Sequence, residues 1–387
     1  MKKSVILLLS WVLCVAATAQ ENMQVKLDSL LRDRLFETTQ VGLMVYDLTA
    51  DSTLFAYNHL QLMRPASTMK LVTAITALDR LGCDYEYRTA IYYTGTVEGA
   101  TLVGDIYCVG GFDPMLTTDD VAGMAAFVRQ LGIDSIRGRL VADCGMKEAK
   151  DYGEGWCWDD DNPLLTPLSV GRKNIFLQTF AEEVARLGIN LEGVRMADGR
   201  LPQKAQLLGT WNHPLKDVLQ RMMKVSDNFY AESMFYQTAA SARKGLARAA
   251  DARSVTRQLI NRLGLGHRTY RIADGSGLSL YNYVSAELLC RLLRHAWQTP
   301  RIGEVLYEAL PIAGVDGTLE KRMKGTPAQD NVHAKTGTLS GISSLAGYCQ
   351  APNGHQLCFA IINQGVQRNA DGRNFQDKVC KVLCEYE

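Results

Sequence analysis

The runs that alternate like β-strands lie at opposite ends of the chain. Val41 to Leu48 and Thr53 to Tyr57 stand near the start, with Thr49 to Ser52 turning between them. His333 to Thr338, Gly341 to Gln350 and Gln356 to Asn363 stand near the finish. The economical assembly joins all of them in one five-stranded antiparallel sheet with helices packed against it. The fold class expected is therefore α/β, with the middle of the chain carried as an insert.

Helices flank these strands. Met23 to Glu37 reads as one. A second has Pro65 at its entrance, where a missing N–H is harmless, and Gly82 at its end as a left-handed cap. Within it Met69, Leu71, Val72, Ala74, Ile75, Ala77 and Leu78 leave hardly a polar face, so this helix is expected to be buried. From Tyr85 to Leu208 short strand-like runs alternate with Gly-rich turns, which reads as an inserted mixed α/β domain. From Asn212 to about Leu310 the pattern is mostly helical, and a final helix begins near Phe375. The expected division is a body of residues 20–84 and 209–387, interrupted by an insert of residues 85–208.

The first nineteen residues read as an export signal. Lys2 and Lys3 precede an apolar run from Val5 to Ala16, and Ala17-Thr18-Ala19 fits the small-x-small cleavage rule. The run falls short of the 18 or so apolar residues of a membrane span. Cleavage would leave 40 basic against 41 acidic residues, a balance of −1. A near-neutral chain with interspersed signs has no electrostatic reason to bind nucleic acid. No later segment looks like a transmembrane anchor, so the expected location is the periplasm.

Nine cysteines follow the signal, an odd number. If Asn353-Gly354 forms a two-residue hairpin turn, Cys349 lies opposite Cys358 on a non-hydrogen-bonded pair. A cross-strand disulfide is then geometrically open, and two small core thiols are the plainer alternative.

Three short strings carry the chemistry: Ser67-Thr68-Met69-Lys70, Ser226-Asp227-Asn228 and Lys335-Thr336-Gly337. In that order they match the three walls of a penicillin-recognising serine site. Each alone is weak, and a second Ser-x-x-Lys stands at Ser241-Ala242-Arg243-Lys244 among other basic residues. Ser67 and Lys70 share one helix face, one turn apart. Burial and the positive helix end both favour a neutral lysine able to take the Ser67 proton. The alternative is a capping serine beside a surface lysine. Ser226 falls on a break between helices, where it can relay a proton and Asn228 can bind a substrate amide. An N-cap serves equally well there. Lys335, Thr336 and Thr338 are expected on an edge strand, able to pair with an extended peptide and hold its terminal carboxylate. Gly337 lets a ligand approach the backbone, and the N–H groups of Ser67 and Thr338 can converge as an oxyanion hole. A lysine-guarded edge strand is the alternative.

Beyond these strings, Arg64-Pro-Ala-Ser67-Thr-Met-Lys70, Gly110-Gly-Phe-Asp-Pro114, Lys224-Val-Ser-Asp-Asn228-Phe-Tyr-Ala-Glu232, Asp274-Gly-Ser-Gly-Leu-Ser279, Leu310-Pro-Ile-Ala-Gly-Val-Asp-Gly-Thr-Leu319 and Ala334-Lys-Thr-Gly-Thr-Leu339 span nearly all of the chain after the signal. In these the chain resembles the class C low-molecular-mass penicillin-binding proteins, D-alanyl-D-alanine carboxypeptidases and endopeptidases. The resemblance implies the penicilloyl-serine transferase (β-lactamase/transpeptidase-like) fold, with an extra domain between the first two strings that is shorter here than in larger members. It implies Ser67 as acyl-enzyme nucleophile, Lys70 as its base, Ser226 and Asn228 on the second wall, and Lys335, Thr336 and Thr338 on the third. The partners implied are peptidoglycan stem peptides and β-lactam antibiotics, with no cofactor.

Two rival readings stand beside this one. A serine β-lactamase of the same fold needs fast deacylation, and no Glu-x-x-x-Asn string lies between the first two strings. A non-catalytic peptidoglycan-binding protein needs neither Ser67 nor Lys70. The six histidines are scattered with no His-Glu-x-x-His, so no metal site is expected, and no Gly-rich loop with a following Lys-Ser/Thr suggests a nucleotide.

Overall fold

The structure is a computed structural model that describes residues 23–386 apart from residues 158, 161, 243–245 and 267–269. The expected signal at residues 1–19, and Arg243 and Lys244 of the second Ser-x-x-Lys, lie outside the described residues. The chain divides into two compact units. One holds the chain up to Ile75, Gln220–Asp227 and the chain from Arg257 on; the other holds Thr76–Leu219 and Asn228–Thr256.

The first unit contains the sheet expected from the two chain ends. Its order is His333–Leu339, Ile342–Gln350, Gln356–Gln364, Gln40–Asp47, Ser52–Tyr57, with every neighbouring pair antiparallel. The two innermost registers pair Leu43 with Ile361 and Val45 with Phe359. These strands are buried on both faces, which is why they are apolar nearly throughout. Leu43, Val45, Leu345, Cys349, Phe359 and Ile361 turn to one face. They meet Met23 and Leu27 and the C-terminal helix Asn369–Leu383 through Phe375, Val379 and Leu383. On the other face lies the helix Ala286–Gln298, where Tyr348 donates its hydroxyl to the Leu293 carbonyl at 2.8 Å. Each such fully buried Leu, Ile or Phe side chain contributes about 1.5–3 kcal/mol.

Two expectations are corrected in this unit. The N-terminal helix covers residues 23–30 and stops there; a separate 3-10 turn, Arg34–Glu37, is capped by the Asp33 carboxylate. The hairpin register also differs by one residue. Cys349 pairs with Leu357, and Cys358 with Tyr348. A loop of residues 351–355 replaces the two-residue turn, closed by Ala351 N–H to the His355 carbonyl at 2.9 Å. Asn353 spends its side chain on the His355 N–H at 3.0 Å, an Asx turn that competes with the tight hairpin. A one-residue slip sends the two thiols to opposite faces. Both are free and buried, Cys349 in the core beside Cys380 and Cys384, and Cys358 against the Cys290 carbonyl.

The second unit is built on a mixed sheet in the order Gln206–Pro214, Glu86–Tyr93, Ile106–Val109, Arg139–Asp143, Arg195–Asp198. Its first two pairings are antiparallel and its last two parallel. A residue boundary after Leu208 therefore falls inside the strand Gln206–Pro214, which runs along Glu86–Tyr93. Helices Thr118–Ala125 and Phe176–Arg186 pack together over a core that includes Ile91, Leu140, Val121 and Phe180. Here the Gly110–Pro114 string has a structural use. A Cβ at Gly111 would stand 2.0 Å from the Arg88 carbonyl, and the Phe112 carbonyl accepts the buried Ser233 hydroxyl.

Candidate active site

The chain enters the second helix through a 3-10 turn, Ala66–Thr68, and continues as Met69–Leu81. Ala66 holds φ +47°, a left-handed conformation that a residue with a Cβ rarely adopts, immediately before Ser67. Such strain persists only where surrounding contacts enforce it. Two contacts do so. Thr68 donates its hydroxyl to the Pro65 carbonyl at 2.7 Å, and Ser344 donates to the same oxygen at 2.6 Å. Ser67 is left half-buried at the turn.

Lys70 follows one turn later with 0% exposure. Its Nζ stands 3.0 Å from Ser67 Oγ and donates to the Ser276 carbonyl at 2.8 Å. The surface-lysine alternative is thereby removed. Residues 71–78 are buried as well, as the all-round apolar pattern requires.

His333–Leu339 is an edge strand of the sheet. Lys335 on it is also 0% exposed; its Nζ reaches Ser226 Oγ and the Thr336 carbonyl, both at 2.9 Å. Burial, and then the like charge of Lys70, push the Lys335 amine well below its ordinary value. Thr336 donates its hydroxyl to Thr318 Oγ1 at 2.7 Å, while Thr338 is exposed. Gly337 is needed for close approach, but its neighbour is the protein itself. A Cβ there would lie 2.1 Å from Ser344 Oγ, 2.7 Å from the Pro65 carbonyl and 3.0 Å from Ser67 N. The edge strand is thus pressed onto the turn that carries Ser67.

Ser226 lies in the break between helices Leu215–Lys224 and Asn228–Ala242 and holds φ +61°. The strings on either side hold this break. Lys224 Nζ pairs with Asp316 and donates to the Leu310 carbonyl, each at 2.6 Å, and Gly317 packs where a Cβ would be 2.6 Å from the Lys224 carbonyl. The Leu310–Leu319 segment therefore ties the helix before Ser226 to Thr336 through Thr318. Asn228 begins the next helix in the second unit, its amide 3.4 Å from Asn162 Oδ1.

Within the first unit, then, short polar contacts join Ser67 to Lys70 and join Ser226 to Lys335 and Thr336, Gly337 packs against the Ser67 turn, and Thr338 continues the same strand. Sequence reasoning missed Ser276, Thr318, Lys224 and Asp316. All four sit in strings already singled out, but their contacts are tertiary. The decoy Ser241 sits at the end of a helix, donating to the Thr238 carbonyl at 2.7 Å, and has no place at a helix start. Among the described residues no group of three His, Cys, Asp or Glu side chains is arranged to hold a metal.

A five-stranded antiparallel sheet covered by helices, with a Ser-x-x-Lys turn under an edge Lys-Thr-Gly strand, is the arrangement of the penicillin-recognising serine hydrolases. The profile of the D-Ala-D-Ala carboxypeptidase 3 (S13) family matches residues 23–172 and 169–386. The chain belongs to this family of serine peptidases. It is 28% identical to a D-alanyl-D-alanine carboxypeptidase of Actinomadura sp. (strain R39), over 93% of this chain and 84% of that one. It is 26% identical to the D-alanyl-D-alanine carboxypeptidase DacB of Haemophilus influenzae, over 87% of both. The crystal structure of penicillin binding protein 4 from H. influenzae superposes with a TM-score of 0.86 at 23% identity, covering 93% of this chain and 99% of the other. A predatory peptidoglycan endopeptidase of Bdellovibrio bacteriovorus has a TM-score of 0.59 at 16% identity, covering 90% and 94%. The two structural likenesses bear on the fold. Among the described residues no helix is long and apolar enough to cross a membrane.

Proposed function

We propose that the protein hydrolyses D-alanyl-D-alanine bonds of peptidoglycan stem peptides through an acyl-enzyme on Ser67. The observation that carries this is a lysine amine with no exposure, 3.0 Å from the serine oxygen. Ser67 Oγ bonds to the carbonyl carbon while its proton passes to Lys70. The N–H groups of Ser67 and Thr338 receive the oxyanion. Ser226, 2.9 Å from Lys335, relays a proton to the leaving D-alanine nitrogen. Water then cleaves the ester and regenerates Ser67. Asn228 binds a substrate amide, and Lys335, Thr336 and Thr338 bind the terminal carboxylate.

The depressed Lys335 amine gives this binding a second consequence. A carboxylate beside it favours the charged ammonium, so the two bind as an ion pair. The same carboxylate is present on penicillins, whose acylation of Ser67 follows by the same steps; a crystal structure of the H. influenzae relative is of a β-lactam complex. Without a Glu-x-x-x-Asn string to position water, the penicilloyl ester is expected to be long-lived. The stretch from residue 85 through the strand Gln206–Pro214 acts as an insert in the catalytic body, and residues 1–19 direct export to the periplasm.

Incubation with muropeptides of defined linkage, with products weighed by mass spectrometry, tests the reading. Loss of a terminal D-alanine or hydrolysis of a D,D-cross-link is expected. Intact muropeptides after prolonged incubation would contradict it.

A further inference from the structure

The Asp274-Gly275-Ser276-Gly277-Leu278-Ser279 loop is wired around one carboxylate. Asp274 is 1% exposed. Its Oδ1 accepts from Gly277 N–H at 2.8 Å and from Asn282 Nδ2 at 2.6 Å. Its Oδ2 accepts from Ser279 N–H at 2.7 Å and from the Ser276 hydroxyl at 3.2 Å. Asn282, fully buried, extends the network by accepting from Ala273 N–H at 2.8 Å. Four donors on one buried carboxylate fix the path of the backbone between residues 274 and 282.

That path delivers its carbonyls to the helix that carries Ser67. The Ser276 carbonyl accepts from Lys70 Nζ at 2.8 Å. The Gly275 carbonyl accepts the Thr73 hydroxyl at 2.6 Å, one turn further along the same face. Gly277, at φ +83°, is packed so tightly that a Cβ would stand 1.9 Å from the Ala66 carbonyl and 2.7 Å from Met69 Cβ. The loop is therefore seated on both sides of the Ser67–Lys70 turn. A neutral primary amine has two N–H donors and one lone pair. Committing one N–H to Ser276 restricts where that lone pair can point, and Ser67 Oγ lies 3.0 Å away.

We propose that Asp274 is a positioning residue for acylation: by holding the loop, it makes the Ser276 carbonyl orient the Lys70 amine toward the Ser67 hydroxyl. This rests on the reading of Lys70 as the base for Ser67. Asp274→Asn keeps the volume but turns an N–H donor toward one pair of donors, which loosens the loop. Misplacement of a reacting group by about 1 Å costs on the order of a hundredfold in rate.

The test is the time course of acylation by benzylpenicillin, resolved into non-covalent binding and the acylation rate constant. For Asp274→Asn the rate constant is expected to fall about tenfold to a hundredfold, with binding changed less than about twofold. Thr73→Val, which leaves the Asp274 network intact and removes only the Gly275 clamp, should show a smaller loss in the same constant. An unchanged rate constant in folded Asp274→Asn, or equal losses in binding and rate, would overturn the proposal. Should that variant not fold, Thr73→Val decides: a fall confined to the rate constant supports the proposal and an unchanged one overturns it. Lys70→Met separates the two claims. If it acylates normally, the reading of Lys70 as base fails; if it is inert while Asp274→Asn is normal, only the positioning role fails.

Discussion

Ser67→Ala is expected to lower kcat/KM for stem-peptide cleavage by about 10⁴-fold or more while binding is retained. Removing a nucleophile removes the covalent route altogether, and what remains is the residual effect of binding and oxyanion donors. The contacts that hold the turn come from Thr68, Ser344 and Gly337, so the fold should survive the change. Steady-state kinetics on a defined muropeptide, together with a binding measurement on the same variant, checks the result. Activity equal to the parent would remove Ser67 from the mechanism and revive the idea of a binding protein that merely keeps the groove.

Lys70→Met is expected to slow acylation by about 10³-fold, within the range usual for loss of a positioned general base. That corresponds to about 4 kcal/mol of barrier. Methionine fills the same dry space, but the Ser276 carbonyl loses the N–H donated at 2.8 Å. A stability cost of about 1–3 kcal/mol follows from that lost partner. Lys335, whose amine is held down first by burial, keeps its contacts with Ser226 and the Thr336 carbonyl. Carboxylate binding should therefore persist, and the defect should appear in the acylation rate constant. A variant that acylates at the parent rate would require another base.

How far these features were legible follows from the range of the interactions involved. The sheet could be read because alternation and turn residues are local, and because five strands at the two chain ends have few other ways to pair. Burial of the Ser67 helix could be read from its nearly unbroken apolar surface. The hairpin register could not, because it turned on the Asn353 side chain capturing the His355 N–H in preference to a tight turn. The insert helix Thr118–Ala125 was overlooked although Thr117 and Asp120 form a capping box that marks its start. In the site, residue types and spacing pointed to Ser67, Lys70, Ser226 and Lys335. The left-handed backbones of Ala66 and Ser226 gave no signal, since neither is glycine. The carbonyl that holds Lys70 belongs to the backbone of Ser276, and any residue there would supply one. Gly337 was expected to admit a ligand, whereas the space it leaves is taken by the turn under Ser67.

The proposed acylation of Ser67, with Lys70 as its partner, is tested by intact-mass analysis of the full chain after exposure to benzylpenicillin, followed by peptide mapping. A stable gain of one penicilloyl group on the peptide containing Ser67 is expected. No covalent gain, or a label on any other hydroxyl, would contradict it.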